Sequence, residues 1–117
     1  MGRYMAFWKY EEGVDIEPQA VYEHTCLEEQ PTAGLCTLPI ETILQHIQKE
    51  FTDYEQLDAY NYESSNGSFT VLTTPQSVLF DCSWNMIAPD LNRLITIMNA
   101  FGCPFYDPQI TTRFVIL

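Results

Sequence analysis

The chain has 117 residues, the length of one ordinary domain, and its 46% hydrophobic and 14% aromatic content is enough for a packed core and argues against intrinsic disorder. Five Lys and Arg residues stand against sixteen Asp and Glu residues, and the net charge of -11 disfavours direct binding to nucleic-acid phosphates or to an anionic membrane surface. No apolar run approaches the roughly 20 residues of a membrane span, so we expect a single soluble domain over residues 1–117.

The first third of the chain predicts one strand and two helices. Residues 4–10 are rich in aromatic side chains and precede a Glu-Glu-Gly turn, which is typical of a strand. Pro18 follows two acidic residues at a position that a first helical turn tolerates, and it predicts a short helix near 17–29. A second helix opens at Leu38-Pro39 and carries an apolar stripe at helical spacing. The residues of this stripe are Ile40, Ile43, Leu44, Ile47 and Phe51.

The middle of the chain changes to the period of strands. Residues 56–63 and 69–73 flank an Asn66-Gly67 pair, and this arrangement predicts a β-hairpin. A third strand over 77–84 follows after a short break. Its alternation predicts one shared face for Val78, Phe80, Cys82 and Trp84.

The last third predicts a helix, a turn and a final strand. The helix begins near Ala88-Pro89, has apolar residues at helical spacing, and ends at Gly102. Two prolines stiffen residues 103–109 into a turn, and residues 113–117 form a candidate last strand.

The order of these elements predicts the α+β class. Each helix has one apolar stripe and the strands alternate, so we expect a two-layer sandwich of an antiparallel sheet with the helices on one face. The first topology to test is a ferredoxin-like βαββαβ plan with an additional strand and helix. A barstar-like or other small α/β arrangement is the alternative.

The residues that carry metal or catalytic chemistry do not form a known pattern. The four cysteines, Cys26, Cys36, Cys82 and Cys103, lie ten or more residues apart and are expected to be free thiols in a reducing cytoplasm. His24 and the two nearest cysteines lack the close pairing of zinc ligands, so we expect neither metal nor cofactor. No Gly-rich phosphate loop, nucleophile elbow or H-E-x-x-H helix occurs, and the sequence therefore disfavours an enzyme.

The acidic residues are distributed unevenly along the chain. Residues 1–63 contain thirteen of the sixteen acids and three of the five bases. Carboxylates and tyrosines alternate near the end of this half, at Asp53, Tyr54, Glu55, Asp58, Tyr60, Tyr62 and Glu63. Tyrosine provides contact area at low entropic cost and carboxylates pair with Arg or Lys, so these seven residues, the acidic tyrosine strip, predict a protein-binding face. The alternative is an edge strand whose charges prevent sheet-to-sheet pairing and whose tyrosines cover the rim of the core.

The C-terminal segment resembles a known kind of protein. Residues 101–109, Phe-Gly-Cys-Pro-Phe-Tyr-Asp-Pro-Gln, followed by Arg113-Phe114, are similar to the C-terminal signature of small uncharacterised bacterial domains. The opening residues 5–13 are similar to the start of such proteins. Together these segments cover about a fifth of the chain, and the resemblance implies a bacterial origin and no mechanism.

Two functional hypotheses follow. The first is a small acidic inhibitor or immunity-type protein that masks a basic toxin or nuclease through the acidic tyrosine strip. The second is a small-molecule-binding domain or enzyme with a pocket between helices and sheet, in which His24 or His46 and a buried acid supply the polar groups. Homodimerisation by strand addition is a third alternative.

Overall fold

The structure is a computed structural model that describes residues 2–115. It is an antiparallel seven-stranded sheet with helices, and the predicted α+β class is confirmed. The strands are β1 (Arg3–Trp8), β2 (Glu55–Gln56), β3 (Asn61–Ser64), β4 (Gly67–Thr74), β5 (Ser77–Cys82), β6 (Phe105–Asp107) and β7 (Thr112–Arg113). The helices are α1 (Pro18–Val21), a π-helix (Tyr22–Leu27), α2 (Ile40–Glu50) and α3 (Ala88–Ala100).

The strand order contains the ferredoxin-like plan. The sheet runs β2-β3-β4-β5-β1-β6-β7, with β5 and β1 adjacent near its middle. In chain order, β1, α2, β4, β5, α3 and β6 form the βαββαβ series that the sequence predicts. Strands β2, β3 and β7 and the helical segment 18–27 are additions to this plan. Strands β2 and β3 extend one edge, and β7 extends the other.

Both faces of the central strands are apolar, which changes the predicted layering. On β1, Met5 and Phe7 join the larger core that α2 and α3 cover, while Ala6 and Trp8 join a second core with Val21 and other residues of the segment 18–27. The prediction that the helices share one face therefore holds for α2 and α3 only. The first helical segment lies on the opposite face because β1 and β5 present apolar side chains on both sides.

The predicted helix 17–29 and the predicted strand 56–63 are each found as two shorter elements. The predicted helix 17–29 begins as α1 and continues as the π-helix. The predicted strand 56–63 is interrupted by a turn over residues 57–60, because the Asp58 carboxylate accepts hydrogen bonds from the backbone N–H groups of Tyr60 (2.8 Å) and Asn61 (3.0 Å). Tyr60 consequently lies outside β3 and does not share a face with Tyr62, as it would in a continuous strand over 56–63.

Strand boundaries in the last third of the chain also differ from the prediction. Strand β5 ends at Cys82, so Trp84 lies in the following turn and is 76% exposed rather than facing the core. The predicted turn 103–109 contains strand β6, which pairs with β1 between two flanking prolines. Strand β7 covers Thr112–Arg113 only; of the predicted last strand, residues 116–117 lie outside the described residues.

Gly67 is the residue of the hairpin turn for which no other amino acid is suitable. Its φ is +122°, and a Cβ built there would lie 2.6 Å from the Cα of Met86. We expect Gly67→Ala to lower the free energy of unfolding by about 2 kcal/mol, because strain and a backbone contact add. Urea denaturation measures this, with Gly13→Ala as the control: φ is also positive there, but no atom lies within 4 Å of the added Cβ. Equal losses would contradict the contact.

Candidate protein-binding surface

The tyrosines of the acidic tyrosine strip divide into core and surface residues. Tyr54 and Tyr62 are 5% and 2% exposed, whereas Tyr60 is 45% exposed. Tyr62 stacks on Phe69 with ring centroids 4.8 Å apart, and Tyr54 lies 5.6 Å from the same ring. The prediction that Tyr54 and Tyr62 contact a partner is therefore wrong. The alternative, that the tyrosines cover the rim of the core, is closer to what is found, since both side chains pack into the larger core.

The hydroxyl of Tyr54 is committed to a hydrogen bond inside the protein. It donates to Oδ2 of the buried Asp90 at 2.7 Å. Burial and this hydrogen bond raise the pKa of Tyr54 to about 12. Tyr54 therefore joins the turn after α2 to the first turn of α3 and does not face solvent.

Asp53 is also occupied within the protein. Its carboxylate accepts hydrogen bonds from Nη1 and Nη2 of Arg93, at 3.0 and 2.9 Å, in the bidentate geometry that guanidinium groups favour. Arg93 additionally bonds Glu50 and Asp90 and lies over the Phe51 ring, 4.2 Å from its centroid. The hydrogen bond from Arg93 lowers the pKa of Asp53. This ion-pair network links α2 to α3, and the charge of Asp53 is compensated within it although 53% of the Asp53 side chain is exposed.

Besides Asp53, four residues of the acidic tyrosine strip are exposed. Asp53 lines a concavity of about 550 Å³ together with two of them, Glu55 and Glu63. Glu55 and Glu63 are exposed and directly opposite each other in the β2–β3 pair. Tyr60 and Asp58 lie in the turn that joins these strands. The pKa of Asp58 is lowered by the hydrogen bonds that it accepts from the backbone N–H of Tyr60 and the side chain of Asn61.

The strand register shows which other residues lie on the same face of the sheet as Glu55 and Glu63. Glu63 lies on the face opposite to Tyr62, and so does Asn61, two residues earlier. Asn61 is aligned with Thr70 on β4, Thr70 with Asp81 on β5, and Asp81 with Tyr4 on β1. One row further along the strands, Leu72 is aligned with Leu79. The half of this face that the π-helix leaves uncovered, here called the uncovered face, consists of Tyr4, Glu55, Asn61, Glu63, Thr70, Leu72 and Asp81.

Three concavities adjoin the uncovered face, and Glu29 lines each of them. Their volumes are about 210, 380 and 420 Å³. The first lies between the π-helix and the sheet, the second lies beside the β4–β5 turn at Pro75, and the third extends over β4 to Tyr60. Glu29 therefore lies where three depressions beside the uncovered face meet.

The cations of the protein lie elsewhere. None of the five Lys and Arg residues, all within the described range 2–115, lines any of the three concavities. Arg93 is held between α2 and α3, Lys49 belongs to α2, and the side chain of Lys9 lies beside Gly102. Arg113 stacks on Tyr10, 4.4 Å from the ring centroid. Arg3 is aligned with Cys82 and precedes Tyr4 on β1, so its side chain starts on the other face of the sheet from Asp81. Within residues 2–115, no Lys or Arg forms an ion pair with a carboxylate of the uncovered face.

Sequence reasoning missed Glu29, Tyr4, Leu72 and Asp81 as surface residues. For Leu72 and Asp81 the signal was present, because they alternate with the apolar Val71 and Phe80 and must face away from the larger core. No sequence pattern indicated Glu29, which lies at this surface because it follows the end of the π-helix.

The histidines and cysteines do not assemble a reactive centre. His24 contacts the carbonyl of Pro31, and His46 packs edge-to-face on Phe101 with ring centroids 5.1 Å apart. Burial raises the pKa of Cys82 to about 12 and those of Cys26 and Cys103 to about 11, which disfavours thiolates. Within residues 2–115, no three His, Cys, Asp or Glu side chains are arranged to hold a metal ion.

Comparisons with known proteins give no identity for the chain. No protein family and no curated protein matches it. The resemblance of the C-terminal segment therefore stays a prediction. In the part of the chain that the structure describes, no helix has both the length and the apolar character needed to cross a bilayer.

Proposed function

We propose that this protein is a small acidic binding module of the inhibitor or immunity type, which masks a basic protein such as a toxin or nuclease. The binding surface is the uncovered face together with Glu29, Asp58 and Tyr60. The observation that carries the proposal is the direct cross-strand pairing of Glu55 and Glu63, neither of which has an ion-pair partner among residues 2–115. Free thiols at all four cysteines support a reducing compartment, for which we propose the cytoplasm.

The glutamate pair is unfavourable in the isolated protein. Like charges directly opposite each other destabilise a strand pair, by about 0.2–1 kcal/mol on the scale of cross-strand effects. A Lys or Arg side chain of a partner would lie between the two carboxylates and relieve this repulsion. The cost in the free state would then contribute to binding, and the surrounding negative field would steer a basic protein toward this face.

Protection of the sheet edge does not account for the whole arrangement. A charge on the outermost strand is sufficient to prevent strand addition, and Glu55 on β2 supplies it. Asp81, however, lies on the central strand β5, and Glu29 follows the π-helix on neither edge. Negative charge distributed from the edge to the middle of one face fits recognition of a cationic surface. The same charges disfavour a homodimer through this face.

Neutralising the uncovered face should separate binding from stability. We expect the triple variant Glu55→Gln/Glu63→Gln/Asp81→Asn to bind the basic partner at least about tenfold more weakly at low salt. The variant lacks three carboxylate charges that attract the Lys and Arg side chains of the partner. The same variant should be as stable as the wild type or more stable, since the cross-strand repulsion is removed. Affinity is measured on the partner isolated from native cell extract by wild-type protein, at two salt concentrations.

The matched control is Glu11→Gln/Glu12→Gln/Glu41→Gln, which makes the same change in net charge at exposed residues away from the uncovered face. It should retain the partner with less than about a twofold loss, since distant charges are largely screened. Equal retention by both triple variants, or a partner bound independently of salt, would overturn the proposal. So would the absence of any stoichiometric partner at low salt.

A further inference from the structure

The smallest of the three concavities has an apolar wall. It lies under the π-helix and has a volume of about 210 Å³. Its lining, here called the anchor pocket, consists of Tyr4, Cys26, Leu27, Glu29, Leu72, Thr73, Thr74 and Leu79. Leu27 is 51% exposed and Leu72 is 45% exposed. Large aliphatic side chains around one depression, rimmed by polar residues, are the pattern of a surface that another molecule covers.

The end of the π-helix places a carboxylate at the mouth of this pocket. The backbone N–H of Gln30 donates to the carbonyl of His24 at 3.0 Å and so closes the end of the helix. Glu29, the residue before Gln30, has a φ of 56°. Glycine is the residue usually found in this left-handed position after a helix, because other residues are strained there. A glutamate at this position keeps a negative charge beside the apolar wall at a cost in stability.

We infer that the anchor pocket receives an aliphatic side chain of the basic partner, next to a Lys or Arg whose cation pairs with Glu29. This inference rests on the proposed function. The negative charge of Glu29 favours a cationic partner, and the apolar wall favours an aliphatic residue next to the cation. The volume suits one leucine, isoleucine or methionine side chain and is too small for a bound helix or domain. Residues of this kind, buried beside an ion pair, are the usual hot spots of protein interfaces.

Two synthetic peptides test this inference. Both are fluorescein-labelled dodecapeptides of glycine and serine with three arginines, and they differ only in having leucine or serine between two of the arginines. We expect the leucine peptide to bind wild-type protein about tenfold more tightly in fluorescence anisotropy, since an aliphatic side chain is removed from water. The variant Leu27→Ser/Leu72→Ser should reduce this preference to under about twofold. Both substitutions are at half-exposed positions.

Controls separate the pocket from the charge. Ile110→Ser/Val115→Ser removes two exposed apolar side chains beyond the pocket and should leave the tenfold preference unchanged. Glu29→Gln should weaken both arginine peptides about equally at low salt, with the preference retained.

Each remaining outcome contradicts the inference in a recognisable way. Equal, salt-dependent binding of both arginine peptides overturns the anchor pocket and leaves the proposed function standing. A third peptide keeps the leucine and has serine in place of the three arginines. If it binds as tightly as the leucine peptide with arginines, the pocket takes apolar ligands rather than a basic partner. Failure of both peptides to bind overturns the inference, while the triple-variant experiment decides separately on the proposed function.

Discussion

Replacing Tyr62 by alanine should lower the free energy of unfolding by about 3–4 kcal/mol, the range for truncating a buried aromatic side chain. Its ring belongs to the larger core, where it stacks on Phe69 at 4.8 Å and lies 6.5 Å from the ring of Phe51. Removing it leaves a cavity that these rings cannot fill without leaving their own contacts. Urea denaturation followed by fluorescence measures the loss.

Tyr60→Ala is the matched control for Tyr62→Ala. Tyr60 precedes Tyr62 by two residues but lies in the turn and is half-exposed. Its truncation should change the free energy of unfolding by less than about 0.5 kcal/mol, as surface substitutions usually do. It should instead weaken binding of the basic partner. A similar loss of stability from both variants would show that these tyrosines are not divided between core and surface.

Removing Arg93 should produce the second-largest loss of stability. Arg93→Ala is expected to cost about 3 kcal/mol, the lower end for breaking a buried ion pair, since the Arg93 side chain is itself a quarter exposed. The substitution leaves the buried Asp90 carboxylate with only the Tyr54 hydroxyl as a side-chain partner. It also removes the bonds from α3 to Glu50 and Asp53 at the end of α2. Lys49→Ala removes an equal charge from the exposed side of α2 and should change stability by less than about 0.5 kcal/mol.

The loss from Arg93→Ala should also depend on pH. Arg93 lowers the pKa of Asp53 in the folded protein below its ordinary value of 3.8. The ion pair between them therefore stabilises the fold fully above pH 3.8, and this stabilisation is lost as the pH falls through the pKa of Asp53 in the folded protein. The difference in unfolding free energy between wild type and Arg93→Ala should therefore be constant near neutral pH and shrink below about pH 4. A difference that stayed constant down to pH 2 would show that Asp53 contributes nothing through Arg93.

Local patterns predicted most of the elements that form the core. The apolar stripes of α2 and α3 have the helical period, and the Asn66-Gly67 pair supplies the one residue that can adopt the positive φ of the β3–β4 turn. The ferredoxin-like order followed, because these elements have few ways to bury their apolar sides together. The strand β6 was missed because its two flanking prolines are typical of a turn, and pairing with β1 is a contact distant in sequence.

The acidic tyrosine strip shows where local reasoning stops. Its composition and charge are properties of the sequence, and so is the negative character of the protein. Which tyrosines point inward depends on contacts made on folding. Tyr54 bonds Asp90 and Tyr62 stacks on Phe69, while the turn that Asp58 forms takes Tyr60 out of the strand.

The sequence by itself thus determined an acidic α+β domain with a ferredoxin-like order of elements, because periodicity, turn residues and net charge are local or additive quantities. Only the tertiary structure decided that Asp53 is neutralised by Arg93, that Tyr54 and Tyr62 are buried, and that Glu29 lies beside the face that carries Glu63 and Asp81. These facts depend on contacts between residues tens of positions apart, whose free energies arise only when the sheet is assembled.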